Sequence, residues 1–243
     1  MRILLLCLVF ASPYSLANFD WSSYSTLLGQ YVKTAEKAGI SGNLVDYQGI
    51  AQDPRYMQLI ETMAAFDVKD LEGNEKLAFY INAYNLLTIK LVIDHKPKGS
   101  IKDIGSWFNP VWQKPAGVIN GEIISLDTIE HKILRNLNEP RIHFAIVCAS
   151  LSCPDLRAEA YQTNKLDQQL DEQAKQFINN DQKGLKIDGK NIYISKIFDW
   201  FSEDFATNDS EQEVLKYIAQ YNIEAGRFSE FKTLNYNWQL NQQ

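Results

Sequence analysis

Two cysteines near the middle of the chain are the residues best suited to chemistry. Cys148 and Cys153 lie close together in the sequence, and the only histidines are His95, His131 and His143. A thiol beside an imidazole forms a thiolate that attacks a carbonyl carbon, while the imidazole carries the proton. A cysteine–histidine pair is therefore the first candidate for catalysis.

The apolar run RIHFAIVCAS, residues 141–150, decides which histidine suits Cys148. Its isoleucine, valine and phenylalanine content predicts a β-strand. Side chains alternate across a strand, so His143 and Cys148 would point to opposite faces. This parity favours His131 as the base for Cys148 and places His143 second.

Cys153 is the other candidate nucleophile, because Pro154 after it can begin a helical turn. A thiol at a helix N-terminus has a lowered pKa. With either cysteine as the nucleophile of a hydrolase, backbone N–H groups of residues 150–153 are expected to bind the oxyanion. Two other interpretations stay open: each cysteine is a small buried apolar residue, or Cys148 and Cys153 form a disulfide in an oxidising compartment.

Glu130 falls on the apolar side of a helix predicted to begin near Leu126. The apolar positions that define that side are Leu126, Ile129, Ile133, Leu134 and Leu137. A carboxylate directed at a core requires a partner, because burying an unpaired charge is too costly. Glu130 either supports the catalytic site or forms a structural salt bridge with Arg135 or Arg141.

A long helix predicted over residues 73–93 carries two amides on an otherwise apolar surface. Asn82 and Asn85 are three residues apart and therefore lie on one side of the helix. Buried amides need hydrogen-bond partners. They either brace neighbouring backbone or orient a catalytic imidazole.

Local signals place the remaining elements. Asn120-Gly121 and Asp188-Gly189 predict two β-hairpins, and Asp53 followed by Pro54 predicts a helix start. Further helices are expected over residues 22–37, 166–177, 198–205 and 210–218, and a last strand over residues 233–240. These elements predict an α+β fold, with helices packed around a small, mostly antiparallel sheet.

Composition bounds the class of protein. The chain has 243 residues, 45% hydrophobic and 22% charged, with a net charge of -6. These values exclude wholesale disorder, and no broad basic field exists to bind nucleic acid. No linker or repeat divides residues 18–243, which we interpret as a single domain. No metal or cofactor motif is present, so neither a metal nor a cofactor is expected.

The first seventeen residues predict an export signal. Arg2 precedes an apolar run, and Ser15-Leu16-Ala17 fits a signal-peptidase site. The run is too short to anchor the protein in a bilayer. We expect cleavage after Ala17, a periplasmic or secreted protein, and no membrane span after removal of the signal.

Several stretches together resemble one family, the domain of unknown function 547 (DUF547). The matching stretches are FYINAYN at residues 79–85, Leu126–His131 with Leu134-Arg135, IHFAIVCASLSCP at 142–154, SKIFDWFSEDF at 195–205, and YNWQLN at 236–241. The resemblance implies a rearranged papain-like cysteine peptidase fold. It also implies Cys148 as nucleophile, His131 as base and Glu130 as a supporting acid. The second-rank site residues are His143, Cys153, Asn82 and Asn85.

The sequence is compatible with three functions. The first is an exported cysteine hydrolase that cleaves an amide or peptide bond. The second is a non-catalytic module that binds a peptide or glycan, with Trp107, Phe108 and Trp112 as candidate contacts. The third, thiol redox chemistry through Cys148 and Cys153, is disfavoured by four intervening residues. The sequence identifies neither the substrate nor the oligomeric state.

Overall fold

The structure is a computed structural model, and it describes residues 18–208 and 210–243. The predicted signal peptide, residues 1–17, lies outside the described residues. Within them the α-helices are α1 (Ser22–Tyr31), α2 (Tyr47–Gln52), α3 (Pro54–Ala65), α4 (Gly73–His95), α5 (Leu166–Ile178), α6 (Lys196–Trp200), α7 (Ser202–Phe205) and α8 (Glu211–Ile218). The strands are β1 (Val32–Lys37), β2 (Ile40–Val45), β3 (Pro115–Ile119), β4 (Glu122–Ser125), β5 (Leu185–Asp188), β6 (Asn191–Ile194) and β7 (Lys232–Thr233).

The strands form three small sheets, so the α+β class is confirmed. Strands β1 and β2 pair antiparallel, as do β3 and β4, and β6 pairs antiparallel with β5 and parallel with β7. The β3–β4 and β5–β6 turns occur at the two predicted dipeptides, where Gly121 and Gly189 adopt positive φ. The sequence predicts one sheet, whereas the structure distributes the strands over three.

Helix α4 lies at the centre of the larger of two apolar clusters. Its residues Leu77 to Ile89 are buried without interruption, which agrees with a sequence that is apolar nearly all round. The helix is also long and apolar enough to cross a membrane, but most of it is buried inside the protein. The smaller cluster joins α5, β5, β6 and helices α6–α8.

The predicted helix over residues 22–37 ends early. Helix α1 stops at Tyr31, and the chain continues as β1, which pairs with β2 through a turn at Ala38 and Gly39. Both turn residues have positive φ, at 51° and 75°. The pairing with β2 outweighs the helical spacing of the apolar residues, a tertiary effect that local periodicity does not contain.

The strand predicted for residues 141–150 is wrong. Pro140–Phe144 form a 3₁₀ helix, begun by the Glu139 side chain, which accepts a hydrogen bond from the Arg141 backbone. The following residues are irregular and buried. A short apolar run that is buried on all sides has no periodicity to separate strand from other structure. The parity that placed His143 and Cys148 on opposite faces therefore does not apply.

The last residues of the chain form a strap rather than the predicted long strand. Only Lys232–Thr233 pair as β7, and the segment after them runs along the cysteine loop. The backbone of Leu151 donates to Gln239, and that of Asn241 donates to Ala149, at 2.8 and 3.1 Å. This pairing brings the aromatic residues of the C-terminus next to Cys148.

Candidate active site

One open cavity of about 160 Å³ brings together five of the predicted site residues. Its lining includes Glu130, His131, His143, Cys148 and Cys153. Residues of both apolar clusters line it, so the cavity lies where the two clusters meet. A concave site with apolar walls and a few converging polar groups is typical of a ligand-binding or catalytic pocket.

Cys148 and Cys153 are joined in a disulfide, with their Cα atoms 6.0 Å apart. The bridge closes a tight loop in which the Cys148 N–H lies 2.9 Å from the Cys153 sulfur. Ala149, inside the loop, has a φ of 57°, a left-handed conformation that is rare for a residue with a Cβ. In this oxidised state neither sulfur is a thiol, so any nucleophilic chemistry must follow reduction.

The hydroxyl of Tyr236 lies over the disulfide. Its oxygen is 3.2 Å from the Cys148 sulfur and 3.3 Å from the Cys153 sulfur. The Ser150 hydroxyl is also 3.2 Å from the Cys148 sulfur. After reduction, these hydroxyls are placed to donate hydrogen bonds to a thiolate, which would favour its charged form.

The predicted oxyanion donors in the cysteine loop are already engaged. The N–H groups of Leu151, Ser152 and Cys153 donate to backbone carbonyls of Gln239, Asn237 and Ser150. The expectation that this stretch binds an oxyanion is therefore wrong for these three groups. Among residues 18–208 and 210–243, the Cys148 N–H donates to the Cys153 sulfur alone, so it is the donor that reduction would release.

His143 is held by a carboxylate that the sequence analysis did not select. Its Nε2 lies 2.6 Å from Oδ2 of Asp204, in α7. The ring of His143 stacks on Phe201, with centroids 4.1 Å apart. Arg135 also donates to both oxygens of Asp204, at 2.6 and 2.9 Å. The imidazole is thus fixed in both position and plane.

Charge distribution in this cluster favours a neutral His143 beside an ionised Asp204. Burial alone would raise the pKa of Asp204, but the hydrogen bonds from His143 and Arg135 outweigh it and lower that pKa to about 2. Burial lowers the pKa of His143, against the effect of Asp204. A neutral His143 that donates Nε2–H to Asp204 leaves Nδ1 unprotonated and able to accept a proton.

His131 has a different environment from His143. Its Nδ1 lies 3.1 Å from a guanidinium nitrogen of Arg135, and its Nε2 lies 4.0 Å from Asp127. A guanidinium can only donate, so Nδ1 of His131 accepts this bond and is not available as a base. The side chain is about one-third exposed at the cavity wall.

Glu130 pairs with a tyrosine, and the salt bridge with Arg135 or Arg141 that was one of its two expected roles does not form. The Tyr84 hydroxyl donates to Oε2 of Glu130 at 3.2 Å. Burial raises the pKa of Glu130 to about 7, and the hydrogen bond from Tyr84 and the charge of Arg135 only partly oppose this. Arg135 instead binds Asp204 and Glu203, and Arg141 binds Glu139 and Asp167.

The two asparagines of α4 brace backbone and do not line the cavity. Asn82 exchanges two hydrogen bonds of 2.9 Å with the backbone of Tyr161. Asn85 donates to the Ala145 carbonyl and accepts from the Val147 N–H, at 2.9 and 2.8 Å. Asn85 therefore fixes the irregular segment that leads into Cys148, and neither amide contacts an imidazole.

Comparison with known families matches the central part of the chain. Residues 68–178 match the family model described as "Protein of unknown function, DUF547". This stretch of the chain is therefore similar to the DUF547 family. No curated protein and no solved structure matches the chain.

The DUF547 match covers all seven predicted site residues but not their partners. Asp204, which orients His143, and Tyr236, which contacts both sulfurs, come from the C-terminal part of the chain. Both lie in stretches that carried the resemblance. The residue types alone give no signal that distinguishes them, because their proximity to the cysteines depends on long-range packing.

Aromatic side chains form one wall of the cavity. We call Trp112, Trp200, Tyr236 and Trp238 the aromatic wall. Trp238 is central to it, since its ring centroid lies 4.6, 5.7 and 6.4 Å from those of Tyr236, Trp200 and Trp112. Of the predicted binding aromatics, Trp112 lines the cavity, while Trp107 and Phe108 are 92% and 94% exposed outside it. No group of three or more potential metal ligands occurs in residues 18–208 and 210–243.

Proposed function

We propose that the protein, once reduced, is an exported cysteine hydrolase that cleaves an amide or peptide bond. Cys148 is the nucleophile, His143 is the base, and Asp204 orients His143. One observation carries this proposal: both cysteines line the same cavity as His143, whose imidazole Asp204 holds from behind. The papain-like relationship implied by the resemblance belongs to the same proposal.

His143 replaces His131 as the preferred base for a physical reason. A base needs an unprotonated nitrogen and a fixed ring. Asp204 accepts Nε2–H of His143 and so leaves Nδ1 unprotonated, and Phe201 stacks on the ring and fixes its plane. In His131, by contrast, Nδ1 accepts a hydrogen bond from Arg135. This arrangement matches the general pattern in which a carboxylate fixes the tautomer of a catalytic imidazole.

Reduction precedes the proposed catalytic cycle. An external dithiol gives up two electrons and two protons, becomes a disulfide, and leaves Cys148 and Cys153 as thiols. The Cys148 N–H then loses its contact with the Cys153 sulfur. A substrate carbonyl oxygen is able to take that position and accept a hydrogen bond from the N–H.

Hydrolysis then proceeds through a thioester. Nδ1 of His143 takes the Cys148 proton as the sulfur bonds to the carbonyl carbon. The carbon–nitrogen bond breaks, and the imidazolium returns the proton to the leaving amine. Water, deprotonated by His143, attacks the thioester carbon. The carbon–sulfur bond breaks, the His143 imidazolium gives its proton to the departing sulfur, and an acid is released as the Cys148 thiol is restored.

Periplasmic or secreted location is part of the proposal. It is supported by the signal-like residues 1–17 and by the disulfide, which is typical of oxidising compartments. In such a compartment the enzyme would be stored in its oxidised form until a dithiol reduces it.

The Cys153→Ala variant gives the sharpest test, because it cannot form the disulfide. We expect iodoacetamide to alkylate Cys148 of this variant without reductant, and an amide substrate library to be cleaved without reductant. The matched Cys148→Ala variant should cleave nothing. If Cys153→Ala abolishes turnover while Cys148→Ala retains it, the assignment of the nucleophile is wrong.

A non-catalytic binding module is the second candidate, and the exposure of Trp107 and Phe108 favours it. These side chains form the tip of a turn closed by the Ser106 N–H donating to the Asn109 carbonyl at 2.9 Å. Exposed aromatic residues of this kind are typical of interaction sites. A peptide or glycan that binds wild type and Cys148→Ala equally, but not Trp107→Ala, would support this function over hydrolysis.

A further inference from the structure

The charges that line the active-site cavity are mainly negative. Its ionisable lining residues are Asp127, Glu130, His131 and His143, with Tyr84 and Tyr236 beside them. Neither lysine nor arginine belongs to the described lining, and burial favours the neutral form of His143. The lining is therefore better suited to a cation than to an anion.

The aromatic wall has the electronic character that attracts cations. The face of an aromatic ring carries partial negative charge, and rings grouped around a cavity bind ammonium groups. Trp200 and Trp238 stack with centroids 5.7 Å apart, and Tyr236 lies 4.8 Å from Trp200. Trp200 is 44% exposed, so its ring is accessible from solvent.

The protein already places one cation on this wall. The Lys102 ammonium lies 3.9 Å from the centroid of Trp238. This contact is within the distance of a favourable cation–π interaction. The ring of Trp238 thus accommodates a positive charge, and Lys102 would compete with any ligand cation that approaches the same ring.

We infer that the cavity recognises its substrate by an ammonium group, held between the aromatic wall and the carboxylate of Glu130. This inference rests on the proposed function only in treating the bound cation as part of a substrate, because binding of the ammonium group itself requires no catalysis. It specifies the substrate class as an amide that carries a positively charged amine or quaternary ammonium near the bond to be cleaved.

Binding of such a group is coupled to a proton on Glu130. The pKa of Glu130 is raised to about 7, chiefly by burial. The groups that face it are Tyr84, Arg135, Asp127, Asp204 and Tyr236. A ligand cation favours the carboxylate and so lowers this pKa. Affinity should rise as the pH increases through about 7, and binding at pH 7 should release protons.

Calorimetric titration with choline and with 3,3-dimethyl-1-butanol, its uncharged analogue of the same shape, tests the inference. The protein is used in its disulfide form, so no turnover is involved. We expect choline to bind about tenfold more tightly than the alcohol, in line with a desolvated cation–π contact. Titrations in buffers of different ionisation enthalpy at pH 7 should reveal the proton release.

Three variants connect the result to named residues. Glu130→Gln should abolish the proton release and most of the preference for choline, and Trp200→Leu should weaken choline binding. Lys102→Met should strengthen it by removing the internal competitor. Glu122→Gln, an exposed residue of β4, is the matched control and should change nothing.

Equal binding of the two probes, or no binding of choline to a folded wild-type protein, would overturn the inference. A second contradiction would be choline binding that Glu130→Gln and Trp200→Leu leave unchanged. These results are independent of hydrolysis. If no amide is cleaved, choline binding still tests the cation site. If choline does not bind, the proposal that Cys148 is a nucleophile is unaffected.

Discussion

Nε2 of His143 lies 2.6 Å from Oδ2 of Asp204, although 61 residues separate them in the chain. A 3₁₀ helix positions the histidine, and α7 positions the aspartate. Arg135 holds the other side of the carboxylate. The pair orients an imidazole in a cavity that also contains both sulfurs, and this arrangement connects the fold to thiol chemistry.

Replacing Asp204 should slow the reaction of Cys148. In Asp204→Asn the imidazole loses the charge that fixes its tautomer and stabilises its protonated form. We expect the rate of alkylation of Cys148 at pH 7, measured in a Cys153→Ala background, to fall by about tenfold as the thiolate fraction decreases. Glu203→Gln is the control, since Glu203 also binds Arg135 but is largely exposed. Equal effects of the two substitutions would contradict a specific role for Asp204.

Stability should fall with rising pH because of Glu130. Its pKa is about 7 in the folded protein, against an ordinary value of 4.5. Between these values the folded state binds more protons than the unfolded state, so the free energy of unfolding decreases as the pH rises from about 4.5 through about 7. Urea denaturation at pH 5 and pH 8 should show this loss, on the order of 1–3 kcal/mol.

Glu130→Gln should remove this pH-dependent loss of stability, because glutamine resembles the protonated acid at every pH. The variant should therefore lose less stability than wild type between pH 5 and pH 8, while Glu122→Gln should behave as wild type does. If the free energy of unfolding of Glu130→Gln differs between pH 5 and pH 8 as much as that of wild type, other groups cause the pH dependence.

The two asparagines of α4 allow a matched comparison. Either Asn→Ala substitution leaves one buried N–H and one buried carbonyl of the backbone without a partner, and each should cost about 2–4 kcal/mol of stability. Only Asn85 contacts the segment that leads into Cys148. We expect Asn85→Ala, but not Asn82→Ala, to reduce the alkylation rate of Cys148 as well. A similar reduction in both would indicate a general loss of structure.

Tyr236→Phe should make the reduced thiol less acidic. The hydroxyl lies within hydrogen-bonding distance of both sulfurs, and a hydrogen bond to a charged group contributes about 1.5–3 kcal/mol. Its removal should shift the pH of half-maximal alkylation of Cys148 upward by about one unit. Tyr193→Phe, in β6, is the control, and an unshifted profile in Tyr236→Phe would exclude this role of the hydroxyl.

Local features of the fold were predictable because short-range interactions determine them. Asn120-Gly121 forms its hairpin since the turn requires positive φ. Asp53 caps α3 through the Arg55 N–H, and Pro54 occupies the first position of the helix. Helix α4 is buried as its composition predicts. In each case the residues that decide the structure are neighbours in the sequence.

The segment before Cys148 was not predictable in this way. Side chains of distant helices satisfy its buried backbone, namely Asn85 from α4 and Gln173 from α5, which donates to the Phe144 carbonyl at 3.2 Å. A strand would satisfy the same groups by pairing, and the apolar run contains no signal that separates the two solutions. The wrong strand assignment then gave an incorrect reason to prefer His131 over His143.

The candidate site was therefore predicted as a set of residues, but not as a geometry. Glu130, His131, His143, Cys148 and Cys153 line one cavity, whereas the Asp204 and Tyr236 contacts depend on how α7 and the C-terminal strap pack. Local sequence contains the chemical types, and the long-range packing determines which of them meet.

The rate at which iodoacetamide alkylates Cys148 at pH 7, in the Cys153→Ala protein with and without His143→Asn, tests the central claim most directly. A thiol activated by His143 should react about tenfold faster than free cysteine, because more of it is thiolate, and His143→Asn should remove this advantage while His131→Asn preserves most of it. A rate equal to that of free cysteine, or one that His143→Asn does not change, would contradict the account.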